Sequence, residues 1–81
     1  MKAHIKITLK PGVLDPQGKA IQHALRNLGF HSVGDVRQGK HIEVDLAETN
    51  PEEAKAQVAA MCRQLLTNMI IEDYSFELVE A

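Results

Sequence analysis

Ile5, Ile7 and Leu9 alternate with His4, Lys6, Thr8 and Lys10, the period-two pattern of a strand with one buried face. After a Pro11-Gly12 turn, Asp15 stands at an N-cap position with Pro16 at the first helical position, and Ile21, Leu25 and Leu28 follow at spacings of four and three. That spacing predicts an amphipathic helix. Gly29 suits a left-handed C-terminal position, with Phe30 packing back on the last turn. Val33 and Val36 flank Gly34 out of strict alternation, which predicts a short irregular or bulged strand. Gln38-Gly39 reads as a tight turn leading into a third strand, with Ile42, Val44 and Leu46 against His41, Glu43 and Asp45. A second helix opens with Asn50 as cap, Pro51 at the first position and Glu53 as a capping-box partner. Its stripe is Ala54, Val58, Met61, Leu65 and Cys62 or Leu66. Tyr74, Phe76 and Leu78 alternate with Asp73, Ser75 and Glu77 in a last strand.

The order is strand, helix, strand, strand, helix, strand. It predicts an α+β fold of the split β-α-β (βαββαβ) type, an antiparallel sheet with two helices on one face, as a single domain over residues 1–81. An 81-residue chain buries little more than about 60% of its unfolded surface, so its own core is thin and another chain is a natural source of further burial. Unpaired sheet edges point the same way, to a homodimer or tetramer.

Composition removes several function classes. The net charge of -2 comes without a Lys/Arg cluster, so neither nucleic acid nor an anionic membrane is an expected partner. One cysteine, Cys62, excludes an internal disulfide and suits a reducing, cytoplasmic compartment. The alternating N-terminus is unlike a signal peptide, and no stretch approaches membrane-spanning length. The histidines His4, His23, His31 and His41 show no ligand-like spacing with Cys62 or one another, so no metal site is expected. Cys62 lies in an apolar helical segment and reads as packing, as do Met61 and Leu65. Glu72 and Asp73 are adjacent on a strand and point to opposite faces, which prevents them from acting as an acid/base pair on one bond. No catalytic residue is therefore assigned. Residues 1–41 hold seven Lys/Arg against two Asp/Glu, and residues 42–81 two against nine, a polarity open to two readings: solvated faces, or a docking surface. Gly18, at the third helical position where propensity disfavours it, lets another backbone or a ligand approach the helix N-terminus, and is open to two readings: a locally constrained strand-to-helix turn, or a contact surface for another protein. An anion at that helix N-terminus is the weaker alternative, because Asp15 already brings negative charge.

The stretches "LKPGVLDPQGKAI", "VRQGKHIEV" and "MCRQLLTNMIIEDYSFEL", in this order and across nearly the whole chain, resemble the PurS family, the small subunit of phosphoribosylformylglycinamidine (FGAM) synthase. Met69 departs from the proline usual in that family, which bears on the stiffness of the turn before the last strand. The resemblance implies a subunit without an active site in de novo purine biosynthesis. It would join a glutaminase (PurQ-type) subunit to an ATP-dependent synthetase (PurL-type) subunit and assist ammonia transfer. The complex would use ATP, Mg²⁺ and glutamine, with no cofactor bound by this chain. By the same resemblance the candidate partner-contact residues are Lys10, Pro11, Gly12, Asp15, Gly18, Arg37, Gly39, Lys40, Asn68, Glu72, Asp73 and Tyr74. Two other classes fit the fold: a small-molecule regulatory module, for which the glycine-rich turn would be the mark, and an acylphosphatase-like enzyme. The second needs an Arg in the loop after the first strand, and none is there.

Overall fold

The computed structural model describes residues 1–80; Ala81, the last residue of the expected domain, lies outside them. Strand β1 (Lys2–Leu9) is central, flanked by β2 (Gly39–Asp45) and β3 (Glu72–Val79), both antiparallel to it. Ile5 faces Ile42 on one side and Phe76 on the other, so the alternation in each strand lays its apolar set on a single face. Helix α2 (Pro51–Met61) runs over that face and ends in one wide π turn, Cys62–Leu66. Ala3, Ile5, Ile7, Val58 and Cys62 form the core, with Ile42, Val44, Leu46, Leu66, Tyr74, Phe76 and Leu78 half-buried around it. Helix α1 (Pro16–Asn27) connects β1 to β2.

The α+β class, the antiparallel sheet and the two helices agree with the sequence pattern. Several local features differ. No strand forms at Val33–Val36, so the sheet has three strands and Gln38-Gly39 is not a hairpin turn; Gly39 opens β2. Carbonyls in that segment are taken instead by side chains of α1. Gln22 donates to the Gly34 carbonyl at 2.7 Å, and Arg26 donates to that of Val33 through Nε and Nη2 at 3.2 and 2.9 Å. Leu65 is 84% exposed rather than core, because the buried stripe of α2 passes through Ala54, Val58 and Cys62 and the π turn then carries Leu66 inward. Glu53 does not close a capping box. Its backbone N–H and that of Glu52 donate to Asn50 Oδ1, while the Asn50 N–H donates to Glu48 Oε1 at 3.0 Å.

The largest difference concerns α1, which makes almost no contact with the sheet. Its ends are well formed. At the C-terminus the N–H of Gly29 (φ +103°) donates to the Arg26 carbonyl and that of Phe30 to Leu25, the paired bonds of a Schellman motif. Yet Leu28 is 74% and Phe30 56% exposed, and Ile21 is exposed as well. The molecule measures 48 × 28 × 14 Å with a radius of gyration of 16.1 Å, against about 12 Å for a compact chain of this length. Two helices therefore do not share the sheet face within one chain; α2 covers it and α1 projects.

Candidate functional site

The residues after β1, before β2 and before β3 meet at one end of the sheet, where chain direction forces three connections together. Asp15 organises the first two. Its Oδ1 accepts the Gly18 N–H at 2.8 Å as the cap of α1, and its Oδ2 accepts the Gln38 N–H at 2.8 Å. One carboxylate thus ties the start of α1 to the start of β2. The side chain is buried, and these N–H groups, Gln38 before Gly18, hold its carboxyl below the ordinary value of 3.8. The Arg37 guanidinium adds to that lowering, against burial, which raises it. Hydrogen bonds to the charged form do this wherever they reach a carboxylate.

Arg37 holds the other side of the turn. Its Nη2 donates to the carbonyls of Leu9 at 2.8 Å and Lys10 at 3.1 Å, and Nη1 reaches that of Val13 at 3.4 Å. The turn containing Pro11 and Gly12 (φ +89°) is pinned from outside by this fork. Two glycines are explained by close approach within the chain. A Cβ on Gly18 would lie 2.1 Å from the Val36 carbonyl oxygen, and one on Gly39 would lie 2.5 Å from that of Ile7. The backbone expected to approach Gly18 is therefore the chain's own, and the glycine there serves the fold.

The third connection joins through ion pairs. Lys10 Nζ lies 2.7 Å from Asp73 Oδ1, and its backbone N–H donates to the Ile71 carbonyl at 2.8 Å. Lys40 Nζ lies 3.5 Å from Glu72 Oε2, while Glu72 Oε1 accepts the Asn68 N–H at 2.7 Å. The Asn68 carbonyl accepts from Ile71 and Glu72, and its side-chain Oδ1 from Ile70. These bonds close the turn across Met69 without a proline. Glu72 and Asp73 take different cations, as adjacent strand positions require. A cavity of about 350 Å³ lies among these elements, lined by Asp15, Gln38, Lys40 and Glu72 among others.

Of the twelve candidate residues, Lys10, Asp15, Gly18, Arg37, Gly39, Lys40, Asn68, Glu72 and Asp73 thus form one bonded network, with Pro11 and Gly12 in its outer turn. Tyr74 stands apart, half-buried on the core face and stacked with Phe76 at 6.4 Å. The resemblance placed Gln38 inside a candidate stretch but gave it no bonding role; its backbone completes the Asp15 bridge and its side chain donates to Gln17 Oε1 at 2.6 Å. No periodic signal marks such a residue. Leu14 at 72% and Ile70 at 85% exposure, also within the stretches of the resemblance, form an apolar rim at this end. Every carboxylate in the network is neutralised by a cation or backbone N–H, and it contains no serine, cysteine or histidine to act as nucleophile or base. Its polar groups bond one another and the backbone.

The profile of the family described as PurS, phosphoribosylformylglycinamidine (FGAM) synthase, matches residues 2–80. The PurS subunit of this synthase from Bacillus subtilis is 43% identical over 98% of this chain and 93% of its own, and that from Synechocystis is 47% identical over 91% and 74%. Among solved structures, the Methanocaldococcus jannaschii PurS, one of the subunits of formylglycinamide ribonucleotide amidotransferase in the purine biosynthetic pathway, superposes with a TM-score of 0.89 at 42% identity, covering 99% of this chain and 96% of that one. The structure of PurLQS from Thermotoga maritima gives 0.79 at 30% identity, covering 96% and 95%. Fold and sequence agree on one relationship: the chain belongs to the PurS family, a subunit of FGAM synthase.

Proposed function

We propose that this chain is the non-catalytic small subunit of FGAM synthase in purine biosynthesis, bridging the glutaminase and the ATP-dependent synthetase subunits so that ammonia released from glutamine reaches its acceptor. The observation that carries the reading is the end-of-sheet network. Three connections are locked by Asp15, Arg37 and the Lys10–Asp73 and Lys40–Glu72 pairs, yet no reacting constellation results. A surface held this firmly loses little conformational entropy on docking. Its exposed Leu14 and Ile70 supply apolar anchors beside charged groups, the mixture that protein interfaces use. The likeness to a chain in the PurLQS structure supports an assembly of three kinds of subunit. In this reading ATP, Mg²⁺ and glutamine bind the partners, and the complex works in the cytoplasm. No helix among the described residues is long and apolar enough to cross a membrane.

Self-association belongs to the same proposal. A 12-residue helix is marginal in water without tertiary packing, and α1 leaves Ile21, Leu28 and Phe30 uncovered. A second copy supplies the missing cover.

The test is reconstitution. The glutaminase and synthetase subunits, mixed with and without this chain, are assayed for glutamine-dependent and ammonia-dependent amidine formation, and for co-elution. Glutamine-dependent turnover should need the chain, whereas turnover on free ammonia should not. Full glutamine-dependent activity without it refutes the bridging role.

A further inference from the structure

The face of the sheet opposite α2 carries the polar half of each strand. There β1 contributes His4, and the antiparallel register places Glu43 of β2 directly across from it and His41 two residues along the same strand. His4 and His41 are 37 residues apart in the chain, so no local motif marks them. Their donor atoms converge nonetheless. His4 Nδ1 lies 3.4 Å from His41 Nε2 and 3.5 Å from Glu43 Oε1, and His41 Nε2 lies 3.8 Å from the same oxygen.

We propose that His4, His41 and Glu43 form a binding site for a divalent transition cation of the zinc type. Three ligands at about 2.0–2.2 Å from a tetrahedral ion are separated from each other by about 3.3–3.6 Å, and the triangle of these three atoms is within a few tenths of an ångström of that. Two imidazoles and a carboxylate are a donor set suited to zinc, copper or nickel rather than to magnesium, which demands an octahedron of oxygens. One proton can join only two of the three acceptors, at contacts longer than a good hydrogen bond, whereas one cation engages them all. The site also has a partner for its carboxylate. Lys2 Nζ lies 3.7 Å from Glu43 Oε2, which leaves Oε1 turned to the histidines, as a supporting residue turns a metal-binding carboxylate. The two rings stand edge to face, at 71° with centroids 5.5 Å apart, so they do not stack, and the three donor atoms lie within 4.8 Å of one another. Half of the His41 and Glu43 side chains is exposed, so ions enter from solvent and water fills the fourth position. Lys6 and Glu77 border the same shallow groove with opposite charges.

The full chain is titrated calorimetrically with zinc chloride alone at neutral pH. One ion should bind per chain. His41→Ala and Glu43→Gln should each weaken binding by more than about tenfold, while a His23→Ala/His31→Ala double variant should bind as the parent does. Circular dichroism keeps a misfolded variant from being scored. Cobalt(II) in the unaltered chain provides the independent readout, since a four-coordinate site gives the intense visible absorption that an octahedral aqua-rich ion lacks. Undiminished binding in either ligand variant, loss in the His23/His31 control, or the weak octahedral spectrum overturns the assignment.

Discussion

Gly18→Ala separates the fold's use of that residue from any partner's. By helix propensity alone the substitution should stabilise α1 by about 1 kcal/mol. The structure predicts the opposite. The new methyl carbon would stand 2.1 Å from the Val36 carbonyl oxygen and 2.8 Å from Asp15 Oδ2, more than an ångström short of the 3.4 Å at which ordinary contact begins for the first. Neither obstacle is the loose end of a long side chain. The Val36 carbonyl is followed by Arg37, with three carbonyl acceptors, and by the Gln38 N–H bound to Asp15, so relief requires the 36–38 segment to move and break bonds. The partly buried Gln38 N–H deprived of its charged acceptor costs about 1–3 kcal/mol, and the weakened cap on the Gly18 N–H about 1 more. With the propensity gain subtracted, a net loss of about 2 kcal/mol follows. Gly34→Ala is the control, because a Cβ there meets nothing within 4 Å. The assays are thermal and urea unfolding with amide exchange at Gln38 and in α1. Protection at Gln38 should fall in Gly18→Ala and be kept in Gly34→Ala. Unchanged or raised stability of Gly18→Ala would refute the reasoning, and the glycine would then need a reason outside the chain.

Because the Asp15 carboxyl is held below 3.8 when folded, its charged form stabilises the fold above the unfolded value, and that contribution disappears as pH falls through the lower folded one. Asp15→Asn should therefore lower the melting temperature at neutral pH, with the gap to the parent closing in acid below the ordinary carboxylate range; a gap independent of pH would contradict the role. Burial pushes the Cys62 thiol up, against a smaller opposite effect of Arg63, so a maleimide at neutral pH should label it slowly in the folded chain and fast in denaturant, and equal rates would contradict its place in the core. Light scattering at micromolar concentration should find a dimer or tetramer that Leu28→Asp/Phe30→Asp dissociates; a monomeric parent would remove self-association as the cover for α1.

Much of the architecture follows from local chemistry. Alternation in 2–9, 42–46 and 74–78 identifies three strands and their inward residues, because a pleat sends neighbours to opposite faces whatever the partner strand is. Asp15-Pro16, Asn50-Pro51 and Gly29 mark helix ends because caps satisfy backbone groups that no helix can satisfy itself. Eleven of the twelve residues named through resemblance lie together at the end of the sheet and Tyr74 does not, and beyond the Asp15 cap none of the bonds among them was legible. What the sequence could not decide depends on distance in space. Val33 and Val36 look like a strand, but a strand needs a ladder partner, and here Gln22 and Arg26 took the carbonyls. The stripe of α1 looks like core, yet periodicity specifies an apolar face and not what covers it. Gly18 answers to the Val36 carbonyl, 18 residues on. His4, His41 and Glu43 have no shared spacing, and only the antiparallel register of β1 with β2 brings their donor atoms within 4.8 Å of one another. Local propensity reads the chain one or two turns at a time, and these contacts exist only once loops have closed.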